Sequence, residues 1–191
     1  MVDMARVQRL LDKDDIATAL QRWANALGRC DWDRVRELFH DDAIDTHGTF
    51  DGEIDAFVEW QKQHHDGIEQ SVHFLSPVEV EFADADSALC QTYVTVYQRF
   101  GVNARQPRLD VLGPDREGHA KPMQGIMVGR YIDRFERRGG PWKVASRLVA
   151  FEWLKVEDAP WDVPFQPHWT PARRDRTDPI YEIRKQMGLP D

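Results

Sequence analysis

From residue 78 onward, hydrophobic and polar side chains alternate with a period of two. Val78, Val80 and Phe82 alternate with Glu79 and Glu81, and Ala88, Cys90, Thr92, Val94 and Val96 alternate with Gln91, Thr95 and Gln98. Successive strand side chains point to opposite faces, so this pattern predicts strands with one buried side. Further on, Gly129-Arg130-Tyr131-Ile132-Asp133-Arg134-Phe135 leads to Arg138-Gly139-Gly140, and Trp142-Lys143-Val144 opens a return strand that reaches Trp153. The Gly-Gly pair supplies the positive φ of a tight antiparallel turn. The second half is thus predicted to be a long, curled antiparallel sheet.

The first half has helical spacing instead. Asp14 or Asp15 can cap a helix with apolar residues Ile16, Leu20, Trp23, Ala24 and Leu27, closed by Gly28. A short second helix runs through Val35, Leu38 and Phe39. A strand at 43–47 leads to the turn at Asp51-Gly52, and Ile54, Phe57, Val58 and Trp60 form the apolar face of a third helix. This element order belongs to the α+β class.

Two stretches break the pattern. Residues 103–124 carry Pro107, Gly113, Pro114, Gly118 and Pro122 among charged residues and read as a long loop between strands. After Trp153 come Pro160, Pro164, Pro167, Pro171 and Pro179, interleaved with Trp161, Phe165, Trp169 and Tyr181. The chain divides accordingly into a domain at 1–154 and a Pro-rich tail at 155–191. The tail cannot form a core alone, so its aromatic residues are expected to pack on the domain, over the mouth of a cavity, or on a neighbouring subunit. The basic group Arg173-Arg174-Asp175-Arg176 reads as a solvated or interchain contact.

Composition narrows the function classes. At 191 residues and 41 % hydrophobic, the chain is sized for one domain with a substantial core. A net charge of −8 argues against nucleic acid as the main partner, since phosphate binding rests on clustered Lys and Arg. No segment approaches a membrane span or a signal peptide, and the expected location is the cytoplasm. Cys30 and Cys90 show neither metal-ligand nor disulfide spacing and read as small apolar residues.

The candidate chemistry centres on His73, at the start of the strand alternation. Imidazole both takes and gives a proton near neutral pH. A satisfied structural histidine is the competing reading. His64 and His65 are adjacent on a helix and should point apart, and His47 and His73 lack a local acidic partner at ligand spacing, so no metal site is expected. There is no phosphate loop, nucleophile elbow or dinucleotide fingerprint, which leaves a cofactor-free reaction as the simplest expectation.

Several motifs carry a resemblance. The run Asp31-Trp32-Asp33-Arg34-Val35-Arg36-Glu37-Leu38-Phe39-His40-Asp41-Asp42-Ala43, the strand end Asp45-Thr46-His47-Gly48, Ser71-Val72-His73-Phe74, and Tyr131-Ile132-Asp133-Arg134-Phe135-Glu136-Arg137-Arg138 before Trp142-Lys143-Val144 resemble the SnoaL-like branch of the nuclear transport factor 2 superfamily. The resemblance spans about 14–153 and implies a cone-shaped α+β barrel, a curved and mostly antiparallel sheet wrapped around helices and enclosing an apolar pocket. It points to small cofactor-independent lyases of the scytalone dehydratase and lindane dehydrochlorinase type, with His73 on the family's histidine base and Arg147 on its arginine. The family's aspartate position holds Gly28. Asp45, on the strand face of His47, is the best substitute; a turn cap is its competing reading, and Asp31 reads as a helix cap.

By the same resemblance the inward faces hold Thr92, Val94 and Val96, then Met127, Gly129 and Tyr131, then Arg147, Val149 and Phe151, with Trp23 and Leu27 contributed by the first helix. The polar points of this wall are His47, His73, Tyr131 and Arg147. Tyr131 is either a proton donor or a satisfied core tyrosine, and Arg147 either stabilises an oxyanion or pairs with Asp133. The expectation is a lyase that eliminates water or a small fragment such as formaldehyde from an aromatic or polycyclic hydroxylated substrate. The alternatives are a non-catalytic binder of small hydrophobic ligands and, more remotely, a small subunit of a ring-hydroxylating dioxygenase. The family also implies a homo-oligomer, dimer or trimer.

Overall fold

The computed structural model describes residues 2–113, 121–159 and 164–190; Pro114, Gly118, Pro160 and Trp161 of the sequence argument lie outside the described residues. In chain order the elements are α1 (Met4–Gly28), α2 (Trp32–Glu37), β1 (Phe39–His47), β2 (Phe50–Glu53), α3 (Ile54–His64), β3 (Ile68–Leu75), β4 (Glu79–Phe82), β5 (Ser87–Phe100), α4 (Arg105–Leu112), β6 (Met123–Arg137), β7 (Trp142–Asp158) and α5 (Pro179–Gln186).

Helix α1 starts well before the predicted cap. Asp3 accepts from the Arg6 amide at 3.2 Å, and Asp14 and Asp15 lie inside the helix. Its core face is the predicted one: Ile16, Leu20, Trp23, Ala24 and Leu27 are all buried. One turn nearer its N-terminus, buried Asp12 accepts from Arg137 Nη1 at 2.7 Å and Trp142 Nε1 at 3.2 Å, which ties the helix to the last two long strands. The second helix stops at Glu37, and Phe39 opens β1 rather than closing α2. Parallel pairing of Phe39 with Val144, and Arg36 donating to the Phe39 carbonyl at 3.2 Å, draw those residues into the sheet.

Seven strands form one curved, mixed sheet in the order β2-β1-β7-β6-β5-β3, with β4 beside β5. The expected α+β arrangement of a curved, mostly antiparallel sheet with helices is present, and the sheet does not close into a complete barrel. The sheet is open, with β2 and β3 as its ends, and β1 runs parallel to β7 while the other pairs are antiparallel. The long strands bend because register shifts interrupt β6 and β7 between Val128 and Gly129 and between Arg134 and Phe135. Gly129 is needed at the first of these, since a Cβ there would lie 2.7 Å from the Ala150 carbonyl oxygen.

The predicted loop at 103–124 also needs correcting, because it contains α4. Buried Arg108 anchors this helix by donating from Nη2 to the Gly101 carbonyl at 2.7 Å and the Lys121 carbonyl at 2.8 Å. Val111 and Leu112 pack on a small core of Ile68, Phe100, Ala104 and Met123.

The tail folds back on its own chain through polar contacts. Arg174 donates to the carbonyls of Gly28 at 3.1 Å and of Ile68, and its Nη2 lies 2.6 Å from His65 Nδ1. Tyr181 donates to Asp31 at 2.9 Å, Arg176 pairs with the same carboxylate at 3.1 Å, and Arg29 reaches Asp178 at 3.1 Å. Asp31 occupies the N-cap position of α2, but its side chain makes no cap hydrogen bond and receives the tail instead. Within the Arg173-Arg176 group, half-buried Arg174 is an intrachain tether, while Arg173, Asp175 and Arg176 stay exposed as expected of a solvated contact. Phe165 and Trp169, by contrast, are 61 % and 55 % exposed. The tether gives a testable outcome. Arg174→Ala leaves two carbonyls and an imidazole nitrogen without their donor, and chemical denaturation should show a loss of about 1–3 kcal/mol. A stability within about 0.3 kcal/mol of the parent would show that these contacts contribute nothing net.

Candidate active site

Three adjacent strands bring three charged side chains into register. Arg147 on β7 lies opposite Asp45 on β1 and opposite Asp133 on β6. Its Nε and Nη2 donate to the two Asp133 oxygens at 2.7 and 2.8 Å, and all three side chains are buried. The guanidinium carbon sits 4.3 Å from the ring centroids of both Trp23 and Tyr131 and 5.3 Å from that of Phe39. Burial works against the Arg147 charge, but Asp133 and then Asp45 outweigh it and hold its pKa above the ordinary value. Burial, the largest influence, pushes Asp133 upward against the pull of Arg147. The bidentate geometry decides for the ionised pair.

In front of this cluster lies a cavity of about 290 Å³. Leu27, Val96, Phe100, Met127, Phe151 and Leu154 make its apolar wall, and His47, His64, His65, His73, Asp110 and Tyr131 also line it. Trp23 joins the two layers: it meets Tyr131 edge-on at 5.4 Å and His73 at 6.4 Å between ring centroids.

Several buried polar atoms in the cavity wall and behind it lack hydrogen-bond partners among the described residues. Those of wall residues are His47 Nδ1, Gln61 Oε1 and His73 Nδ1, and those of residues outside the lining include Trp23 Nε1, both Asp45 oxygens, Thr92 Oγ1 and Arg147 Nη1. Asp45 Oδ1 comes within 3.3 Å of His47 Nδ1 without hydrogen-bond geometry. Such groups are rare in protein interiors and concentrate where a site is built for something else.

The histidines differ in their surroundings. Removal from water, and then the neighbouring His47 and Arg174, pull His73 down to about 3. It is therefore a neutral imidazole at physiological pH. Burial and Arg174 likewise hold His65 well below the ordinary value, and because arginine only donates, His65 Nδ1 is the acceptor in their contact. His64 Nδ1 lies 2.8 Å from Asp110 Oδ2, and its ring stacks on Trp60 at 5.0 Å. Burial raises the Tyr131 phenol, so it stays protonated. The Cys90 thiol is pushed up to about 12 by burial and then by Asp133.

Of the residues proposed from sequence, His47, His73, Tyr131, Leu27, Val96 and Met127 line the cavity. Asp45 and Arg147 lie behind it, and Trp23, Thr92, Val94, Gly129 and Val149 are buried without lining it. Sequence reasoning missed His64, His65 and Asp110. The expectation that adjacent His64 and His65 point apart fails because α3 ends at His64, and the turn into His65 brings both rings to one cavity, 5.8 Å apart. A signal for His64 existed, since Phe57, Gln61 and His64 fall on one helical face and all three are buried. Asp110 carried no such signal, because the segment holding it read as a loop.

Residues 8–148 match the SnoaL-like domain family. The chain belongs to the SnoaL-like family, within the nuclear transport factor 2 superfamily. Solved structures agree on the fold. A scytalone dehydratase-designated protein from Novosphingobium aromaticivorans matches with a TM-score of 0.64 and 16 % identity over 78 % of this chain and 90 % of its own. The type 3 hexachlorocyclohexane dehydrochlorinase LinA from Novosphingobium barchaimii matches at 0.65 and 15 %, over 83 % and 99 %. A protein designated an aromatic ring hydroxylase, also from Novosphingobium aromaticivorans, gives 0.60 and 19 %, over 78 % and 94 %. No curated protein matches the chain in sequence.

The neutral His73 has a consequence for stability in this SnoaL-like chain. Its pKa is lower folded than unfolded, so between about pH 6.5 and pH 3 the unfolded state binds more protons and stability falls as the pH is lowered. His73→Gln removes that titration and should flatten the loss between pH 6.5 and pH 4 in urea melts. Identical pH slopes in both proteins would show that the imidazole is not depressed.

Proposed function

We propose that the chain is a cofactor-independent lyase, taking a proton and a leaving group from a small ring-bearing, mainly apolar substrate. The observation that carries this reading is a cavity with an apolar wall and a few polar points, among them His47 and His73, whose Nδ1 atoms are buried without hydrogen-bond partners among the described residues. Apolar walls hold a ring by burial, and a few fixed polar groups orient it and meet charge that develops during reaction. A volume of about 290 Å³ is at the small end for ligand cavities and suits one or two fused rings better than a longer skeleton. The names of similar structures, a dehydratase and a dehydrochlorinase, point to the same reaction class.

In this reading, neutral His73 is present in its acceptor form and can take a proton or hold the leaving group by hydrogen bond. Tyr131, kept protonated by burial, donates to a leaving oxygen or halide. Asp45 and His47 supply polarity beside them. Arg147, already committed to Asp133 through two donors, acts through its field and through Nη1. The absence of phosphate-binding and dinucleotide motifs supports a reaction without an organic cofactor.

One specific feature favours a second reading, a binding protein without turnover: among the described residues, no carboxylate is hydrogen-bonded to His73 Nδ1. A panel of cyclic β-hydroxy ketones and halogenated cyclohexanes separates the two, with products followed by mass spectrometry and binding by calorimetry. The expected outcome is loss of water or hydrogen halide from at least one class, reduced about 10²–10⁴-fold by His73→Ala with the fold retained. Binding without turnover would establish the second reading, and a fall under about threefold in His73→Ala would remove His73 from the chemistry.

A further inference from the structure

Among the described residues four imidazoles line the cavity, and one of them has a carboxylate hydrogen-bonded to a ring nitrogen. It is not the histidine the sequence singled out. His64 Nδ1 and Asp110 Oδ2 are 2.8 Å apart, whereas His73 Nδ1 has no hydrogen-bond partner among the described residues, His65 Nδ1 faces a guanidinium, and His47 Nδ1 approaches Asp45 without hydrogen-bond geometry. We propose that His64 and Asp110 form the working base of this cavity, with His64 taking the substrate proton and Asp110 positioning it. This rests on the lyase reading and assigns the proton-abstracting group within it.

The chemistry follows from the partners. An ionised carboxylate only accepts, so the contact requires the ring hydrogen on Nδ1 and leaves Nε2 as the lone-pair nitrogen. Asp110 is itself fixed: its other oxygen accepts from Gln106 Nε2 at 2.9 Å, one turn back along α4. The His64 ring is held flat on Trp60, with 27° between the planes. Tautomer, ring plane and carboxylate are thus set before a substrate arrives, the condition under which a histidine base is effective. The side chains of His64 and Asp110 are 11 % and 10 % exposed, and both line the cavity.

The step balances as a β-elimination. Nε2 of His64 takes the proton from the carbon next to the one bearing the leaving group. The C–H electron pair becomes the new double bond, and the leaving group departs with its bonding pair. A halide leaves as the anion. A hydroxyl takes the Tyr131 proton as it leaves, and the His64 proton returns to the phenolate through solvent. In either case HX is lost, no electron is exchanged with an outside reagent, and the new imidazolium lies against Asp110. His73 is then left to the leaving-group side.

Two measurements test the assignment. ¹⁵N spectra of histidine-labelled protein should show the Nδ1–H tautomer for His64, and the Nε2–H tautomer there would overturn the dyad whatever the enzyme does. On the substrate class turned over, Asp110→Asn should lower kcat about 10–100-fold with KM within about twofold. Asp110→Glu should recover part of the loss, and His64→Gly should lose about 10²–10⁴-fold and regain turnover with added imidazole. Circular dichroism of each variant checks that it is folded. If folded Asp110→Asn and His64→Gly stay within threefold of an active parent, the pair is structural and the lyase reading survives without it. A parent with the predicted tautomer and no turnover on the whole panel would end the lyase reading, and the role of His64 with it.

Discussion

A guanidinium held between two carboxylates and three aromatic rings decides most of what this chain can be. Removing Arg147 and Asp133 from water costs several kcal/mol per ion, and only a near-ideal bidentate geometry offsets it. That geometry exists because β6, β7 and β1 lie side by side with Asp133, Arg147 and Asp45 opposite one another. A slip of one residue between β6 and β7 would turn Arg147 away from Asp133 and strand a buried charge. The pair therefore specifies the β6–β7 register, beside the seam where the parallel strand β1 joins the antiparallel sheet. That seam is where sequence patterning specifies register least, because alternation alone does not distinguish a parallel neighbour from an antiparallel one.

The same cluster sets the electrostatics of the cavity. Arg147 lies behind Tyr131 and Trp23, so the cavity meets a phenol and an indole edge rather than a bare cation. On the opposite side the tail sends Arg174 between Gly28, Ile68 and His65. Both cations act on His73 in the same direction as its removal from water, so the imidazole stays neutral. A mainly apolar cavity with positive charge nearby, and with neutral His65 and His73 and a protonated phenol in its wall, is a place where negative charge can develop on a substrate.

The legible parts of the fold were those with simple periodicity. The buried face of α1, the alternation of β5 and the turn at Gly139, with φ of +73°, could all be read because each depends on neighbours along the chain. The open edge and the parallel seam depend on which strands meet in space. Helix α4 was hidden by Pro107 and the surrounding charge, yet a proline within the first turn of a helix costs no backbone hydrogen bond. Its depth comes from Arg108, a residue whose burial only its tertiary carbonyl partners can justify. The site divides the same way. His73 and Tyr131 lie on strands whose alternation exposes their direction, while His64, His65 and Asp110 reach the cavity from a helix end and a hidden helix.

Gly28 links these features. An added Cβ there would stand 3.3 Å from the Ser71 carbonyl oxygen, so the end of α1 packs on the backbone of β3 too closely for a branched carboxylate to sit there without a shift. The Gly28 carbonyl accepts from Arg174, which fills the neighbouring space with a cation. A carboxylate placed at 28 would have that guanidinium as a neighbour of opposite charge. The carboxylate that does reach an imidazole of the cavity comes from α4, where Asp110 lies 2.8 Å from a ring nitrogen of His64 at the end of α3.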